Sequence, residues 1–373
     1  MRAFDAKRGL EMSSVYIHVP FCRSKCAYCD FFSIIRHDDA QKITGAVACE
    51  YELRCGEIPM PVNTVYIGGG TPSVLSPEMV GEMIAPIPLD EVEEFTIEVN
   101  PDDVTEDKAR SWKGLGINRV SMGVQSFVDA ELRTVGRRHS AEDVRRACRS
   151  LRDAGFDNIS LDLIYGLPGQ SAESWRYSLD SLIDIRPEHF SAYLLSYEPR
   201  TRLASMLKAG KISEASDDEV EERYRMLCTF AAKAGYEHYE ISNFALPGRR
   251  AVHNSGYWTG VPYLGLGPAA HSFDGTLRRA NPSSIGEYLA SVGHPEVEAE
   301  SEADRFNDRV LTALRTSDGL AYPQQCGSID LTDFDREVRR MLRRGLLVES
   351  RGKIHIPEDR WLVSDSIIRD LFV

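Results

Sequence analysis

Short apolar runs alternate with amphipathic stretches through the first two-thirds of the chain. Residues 14–19, 62–67, 94–99, 118–122, 158–164 and 189–195 are apolar, bounded by turn residues, and short enough to read as buried strands. Between them, 38–56, 78–85, 105–115, 140–155 and 171–183 carry helical spacing, and a longer helix is expected over 217–234. Ser140 with Asp143 forms a capping-box pattern, and Gly116 and Gly155 stand where helices should stop. Repeated βα units of this length predict a parallel sheet with helical crossovers. Six units are too few to close an eight-stranded barrel, so the expected fold is α/β, a partial (β/α)6 barrel. A doubly wound sheet is the alternative. Near Ser301 the rhythm changes. Helices are expected over 301–315 and 332–344, a hairpin over 346–356 turning at Arg351-Gly352-Lys353, and a last helix over 361–372. That order predicts a small winged-helix-like unit. The expected division is 1–241 for the barrel, 242–300 for an aromatic and histidine-rich lid and connector, and 301–373 for the C-terminal unit.

The stretch YIHVPFCRSKCAYCDF follows the first strand and sets Cys22, Cys26 and Cys29 at C-x3-C-x2-C spacing. Crowded thiolates repel unless a cation neutralises them. A structural zinc would call for a fourth protein ligand, and a fully protein-held iron–sulfur cube for a fourth cysteine. The next cysteine is Cys49. Three ligands therefore point to a [4Fe-4S] cluster with one iron open to a small molecule. Spacing and setting resemble the radical S-adenosylmethionine (SAM) enzymes, where the amine and carboxylate of SAM occupy that iron.

Position strengthens the case. In parallel barrels the chemistry gathers at the C-terminal ends of the strands. Here those ends carry the cysteine loop, Gly68-Gly69-Gly70-Thr71-Pro72, Glu98 and Asn100, Gln125, Asp162 with Gly166-Leu-Pro-Gly169, and Ser196. Adjacent glycines let backbone approach a ligand closely; alone they would signify only a tight turn. Glu98 and Asp162 sit among apolar neighbours and need a cationic or hydroxyl partner, either a ligand or a structural mate such as Arg119. Gln125 can donate and accept at once. Arg137 could reach a SAM carboxylate, and so could Arg138. Residues 236–274 gather aromatics, glycines and histidines, a composition that suits a large flat ligand. A histidine there could ligate haem iron. A packed lid with hydrogen-bonded histidines is the preferred reading for His238 and His271, while His253 is open between the two.

Composition narrows the setting. The chain has 373 residues, 42% of them apolar, and a formal net charge of −13, which argues against a nucleic-acid or anionic membrane surface as main partner. Arg336, Arg339, Arg340, Arg343 and Arg344 make one C-terminal helix basic, but a solvated face accounts for them. No apolar run approaches the ~20 residues that span a bilayer, and the N-terminal residues lack the apolar core of a secretory signal. Five further cysteines are scattered, as reduced thiols would be, so a cytoplasmic location is expected.

YIHVPFCRSKCAYCDF, YIGGGTPSVL, IEVNPDD, RVSMGVQSF, DLIYGLPGQ, YEISNFA and HNSGYW together resemble the oxygen-independent coproporphyrinogen III oxidase family, and within it the haem-chaperone branch. The resemblance covers nearly the whole chain. It implies that Cys22, Cys26 and Cys29 hold the cluster. It implies that Tyr16, Gly69, Gly70, Thr71, Glu98, Gln125, Arg137 (in preference to Arg138), Asp162 and Ser196 contact SAM. It also implies that His253, which opens the His-Asn-x-x-Tyr-Trp pattern, binds haem. Haem, an acceptor protein and an electron donor are the implied partners, with no nucleic acid. Peripheral contact with membrane proteins, and a monomer or a dimer, are left open. The decarboxylating enzymes of the family carry a further cysteine where this chain has Phe31, and a longer arm before the cluster motif. The implied activity is therefore haem transfer. Radical oxidative decarboxylation of coproporphyrinogen propionates is the alternative.

Overall fold

The computed structural model describes residues 12–324 and 329–373; the first eleven residues and Cys326 lie outside the described residues. Six strands, β1 (Ser14–Val19), β2 (Thr64–Gly69), β3 (Glu94–Val99), β4 (Arg119–Gln125), β5 (Ile159–Tyr165) and β6 (His189–Leu194), lie side by side in chain order and pair in parallel. The order runs straight through without reversing, which excludes the doubly wound alternative. The strands β1–β5 are buried along nearly their whole length, as strands covered on both faces must be, while β6 exposes Tyr193 and Leu194 at its end. This explains their continuous apolar character.

The crossover helices begin where the sequence supplies caps. Ser76, Thr105, Ser140, Ser171 and Ser216 each accept an N–H from the first turn, and the capping box of Ser140 with Asp143 forms as expected. Gly235 ends the helix Asp217–Ala234 in left-handed backbone.

Additional strands extend the sheet on both edges. After β6 come β7 (Glu237–Glu240) and β8 (Asn243–Ala245), and β8 pairs antiparallel with β6. On the far side, β9 (Tyr263–Leu266) pairs in parallel with β1 and continues into β10 (His271–Phe273), β11 (Arg278–Ala280) and β12 (Glu296–Glu298). The sheet thus has twelve strands. Residues 242–300, expected to form a lid and connector, supply β8 to one side of it and β9–β12 to the other, while β7 forms the outermost strand on the β8 side. A buried ion pair pins the second edge. Arg54 donates to Glu50 Oε1 at 2.6 Å and to the Gly265 carbonyl, while Glu50 Oε2 accepts from Gly267 N–H and the Tyr288 hydroxyl. None of this was legible in the spacing of the sequence.

The C-terminal unit contains the helices Glu302–Leu314 and Thr332–Arg343, a two-residue strand β13 (Leu320–Ala321), and the hairpin of β14 (Val348–Ser350) and β15 (Lys353–His355), onto which β13 pairs. The expected last helix is split: a 3-10 turn at Glu358–Val363 precedes the helix Ser364–Arg369. Phe306, Val310, Leu314, Phe334, Val338 and Met341 join the barrel residues in one continuous core. Several arginines of the basic helix pair with acids, Arg336 with Asp333, and Arg340 with Glu337 and Asp370.

Candidate cofactor and ligand sites

The loop after β1 is fixed by backbone at both ends. Cys22 N–H donates to the Ile34 carbonyl and Ile34 N–H to the Pro20 carbonyl. Further on, Ala27 N–H donates to Val135 O while the Ala27 carbonyl accepts from Leu203 N–H. The three cysteines line one cavity of about 680 Å³ at the C-terminal ends of β2–β6. Burial pushes the thiols of Cys22 and Cys29 upward. Three thiols in one cavity are a donor set that a metal cluster would complete, and none of them is in a disulfide. Thr71 Oγ1 donates to Cys22 Sγ at 3.4 Å and Arg137 Nη1 to Cys26 Sγ at 3.5 Å, as hydrogen bonds to thiolate sulfur would require.

The glycine run has a steric cause. A Cβ on Gly70 would lie 2.7 Å from the Phe21 carbonyl oxygen and 3.1 Å from Cys22 Sγ. Gly69 has φ +104°, and its Cβ would strike the His18 ring. Only glycine lets β2 close down on the cysteine loop.

Every other residue that the resemblance assigned to SAM, apart from Tyr16, lines this same cavity: the Gly69–Thr71 turn, Glu98, Gln125, Arg137, Asp162 and Ser196. Gln125 sits in left-handed backbone at φ +67°, where the pairing of β4 with β5 slips by a residue. Such a bulge in a non-glycine residue costs energy and re-aims the side chain. Arg137 donates to Asn100 Oδ1 at 2.7 Å and to the Gly123 carbonyl, and its Nε is buried without a partner. Arg138 instead pairs with Asp102. Asn100 is the addition that sequence reasoning left out of its SAM set. It holds Arg137, and its own N–H donates to Ser73 Oγ.

Glu98 does not pair with Arg119. Its Oε1 accepts from the Tyr66 hydroxyl at 2.7 Å and its Oε2 from Gly69 N–H at 3.2 Å. Arg119 lies 3.9 Å from Glu94 instead. Loss of water, with Asp162 nearby, pushes the Glu98 carboxyl up to about 7. Asp162 is also pushed up by burial, and accepts from Ser121 Oγ.

Tyr16 and His253 lie elsewhere. They line a second cavity of about 890 Å³, which shares Glu98 and Tyr193 with the first. His253 opens the helix Val252–Thr259, whose first N–H groups donate to Glu94 at 2.9 Å. The ring is 1% exposed and both nitrogens are engaged, Nδ1 with Thr64 Oγ1 at 2.8 Å and Nε2 with the Tyr257 hydroxyl at 2.9 Å. Burial and the charge of Arg119 hold it down to about 3, so it is neutral at pH 7. Tyr257, Trp258 and Tyr263 line this second cavity together with arginines that the sequence reading did not single out. His238 has both nitrogens satisfied, by Glu358 and by the Ile241 carbonyl. His271 is exposed and faces Glu298 at 3.3 Å.

Comparison with known proteins agrees with this geometry. Residues 16–182 match the Radical SAM superfamily. The "heme chaperone HemW" of Bacillus subtilis is 31% identical over 95% of this chain and 98% of its own length. That of Escherichia coli K12 is 33% identical over 96% and 98%. The chain belongs to the HemW branch of the radical SAM superfamily. The E. coli coproporphyrinogen III oxidase HemN has the same fold, with a TM-score of 0.81 at 22% identity, covering 98% of this chain and 91% of that one. Membership in the family implies a [4Fe-4S] cluster and SAM, and the first cavity has a donor set, a glycine cradle and an unpartnered guanidinium nitrogen that fit them. Among the described residues no helix is long and apolar enough to cross a membrane.

Proposed function

We propose that the protein is a haem chaperone: it holds haem in the larger cavity, binds a [4Fe-4S] cluster and SAM in the smaller one, and passes haem to an acceptor protein in the cytoplasm. The observation that carries this reading is the common wall. Glu98 and Tyr193 line both cavities, so a ligand in one would touch residues that also face the other.

Cys22, Cys26 and Cys29 would hold the cluster, which with SAM supplies one-electron chemistry when bound. The chain's own part is positioning. Gly69 and Gly70 offer backbone to the amine end of SAM, Arg137 its guanidinium to a carboxylate, and Glu98, Asp162 and Gln125 take the remaining polar groups. In the larger cavity Tyr257, Trp258 and Tyr263 take the flat body of the tetrapyrrole. His253 Nε2 carries the lone pair that would reach iron once the Tyr257 hydroxyl swings away.

The second reading, decarboxylation of coproporphyrinogen, is favoured by the same common wall, since a propionate seated there would lie beside SAM. Against it, Phe31 is 70% exposed where the decarboxylating enzymes resembled by the sequence have a cysteine. Anaerobic incubation of cluster-loaded protein with SAM, reductant and coproporphyrinogen III is expected to give no divinyl product, while haem titration shifts the Soret band. Catalytic turnover, or a Soret band that does not respond to the protein, would overturn the chaperone assignment.

A further inference from the structure

We propose that the cavity-lining face of the helix Glu302–Leu314 recognises carboxylates, and takes the propionate side chains of a tetrapyrrole whose ring lies against Tyr257, Trp258 and Tyr263. This rests on the reading of the larger cavity as a tetrapyrrole site and adds the groups that orient the ligand.

The helix has two faces. Phe306, Val310 and Leu314 are buried in the core. Arg305, Asp308, Arg309 and Thr312 recur at the three- and four-residue spacing that places them together on the other face, and all four line the cavity. Arg315, just past the helix, and Arg278, from β11, join them. In a chain of net charge −13 this gathering of guanidinium groups is not a consequence of composition.

The four arginines at this end share the cavity with Glu240, Glu300 and Asp308, so the groups open to a ligand are those without an acidic partner. Arg278 is already committed, to Glu300 at 2.7 Å and Asp308 at 2.7 Å. Arg315 meets Asp365. Arg305 donates to the backbone carbonyl of Glu300, and the Arg309 guanidinium has no hydrogen-bond or ion-pair partner among the described residues. Arg305 and Arg309 are therefore the available pair. Glu300 Oε2, buried without a donor, is the acidic oxygen at this face that would compete for them. The planar fork of arginine matches a carboxylate through two parallel hydrogen bonds.

The part of the cavity shared with the smaller one is different. There Glu98 is pushed up to about 7, chiefly by burial, and is a poor partner for anions. A ligand with carboxylates along one edge thus has one orientation in which they meet arginine.

The test is absorbance titration of cluster-loaded protein with haem, haem dimethyl ester and coproporphyrin III. R309E and the R305E/R309E double variant are compared with R336E, the same charge change on a helix away from the cavity. Arg309 is exposed, so its reversal leaves the core intact, and melting curves check this for each variant. The haem Kd is expected to rise about tenfold in R309E, equivalent to about 1.4 kcal/mol, and further in the double variant. The ester should bind wild type about as weakly as haem binds R309E, and should be indifferent to the reversals. Haem affinity in the double variant equal to that in R336E, or an ester bound as tightly as haem, would overturn the proposal. If wild type binds coproporphyrin III but no haem, and the reversals abolish that binding, the arginine face stands and the chaperone reading falls. If neither porphyrin binds, both fall.

Discussion

The two cavities share a wall yet are built by opposite means. The smaller one is made of backbone and thiols pressed together. Gly69 and Gly70 are wedged against the cysteine loop, Gln125 is held at positive φ, and Arg137 is clamped by Asn100. The larger one is made of side chains that converge from β1–β3, β6–β11 and the helices Val252–Thr259 and Glu302–Leu314. The first leaves little freedom and suits a resident inorganic group. The second is walled by side chains, which move more readily than paired backbone.

Substitutions should separate the two. The largest effect belongs to the cysteines. Cys26→Ala should lower iron from about four per chain to near zero after anaerobic reconstitution, measured by iron and sulfide analysis. Retention of full iron in that variant would remove Cys26 from the ligand set.

Next comes Glu50→Ala, which takes one carboxylate from buried Arg54, leaving it Glu57, and strips the acceptor from Gly267 N–H and the Tyr288 hydroxyl beneath the edge that carries Tyr263 and Arg278. Each buried donor left without a partner costs about 1–3 kcal/mol, read as a lower denaturation midpoint. Haem binding should suffer more than cluster loading. Equal loss of both would mean that the cavities are not mechanically separable.

A smaller effect is expected from pH. Glu98 titrates near 7 in the fold, above its ordinary value of 4.5. A carboxyl raised on folding contributes its stability below the unfolded value, and loses it as pH rises from about 4.5 through 7. The Glu98→Gln variant should therefore flatten the fall in stability across that window. Glu240, also raised to about 7, should give a similar flattening in its own Gln variant. SAM should act in the other sense: if its amine meets Glu98, affinity rises as pH climbs through 7, and Glu98→Gln abolishes the rise. A SAM affinity flat between pH 5.5 and 8 in wild type would break that link.

The smallest change is expected from Tyr257→Phe, which frees His253 Nε2 from one hydrogen bond worth about 1 kcal/mol. Haem affinity should increase severalfold, whereas His253→Ala should weaken it. Indifference in both variants would take His253 out of haem binding.

The same contrast explains what could be read from the sequence. The strands β1–β6 announced themselves because strands buried on both faces are continuously apolar. Cys22, Gly70, Glu98, Gln125 and Asp162 were legible because a parallel sheet brings the ends of consecutive strands together in order. The larger cavity offered no such rule. Tyr16, Tyr257 and Arg309 are separated by 241 and 52 residues, and meet only because β9 pairs beside β1 and the helix Glu302–Leu314 packs near the helix Val252–Thr259. The strands β10–β12 are three residues each, too short for a period to show. Arg119 was offered as a mate for Glu98, but the register of the sheet gives it Glu94 instead.

The coupling of the two cavities through Glu98 and Tyr193 is tested most directly by electron paramagnetic resonance of the reduced, SAM-loaded protein as haem is added. One haem per chain should bind and alter the cluster signal in step with occupancy. A cluster signal that stays unchanged while haem saturates the protein would contradict the account.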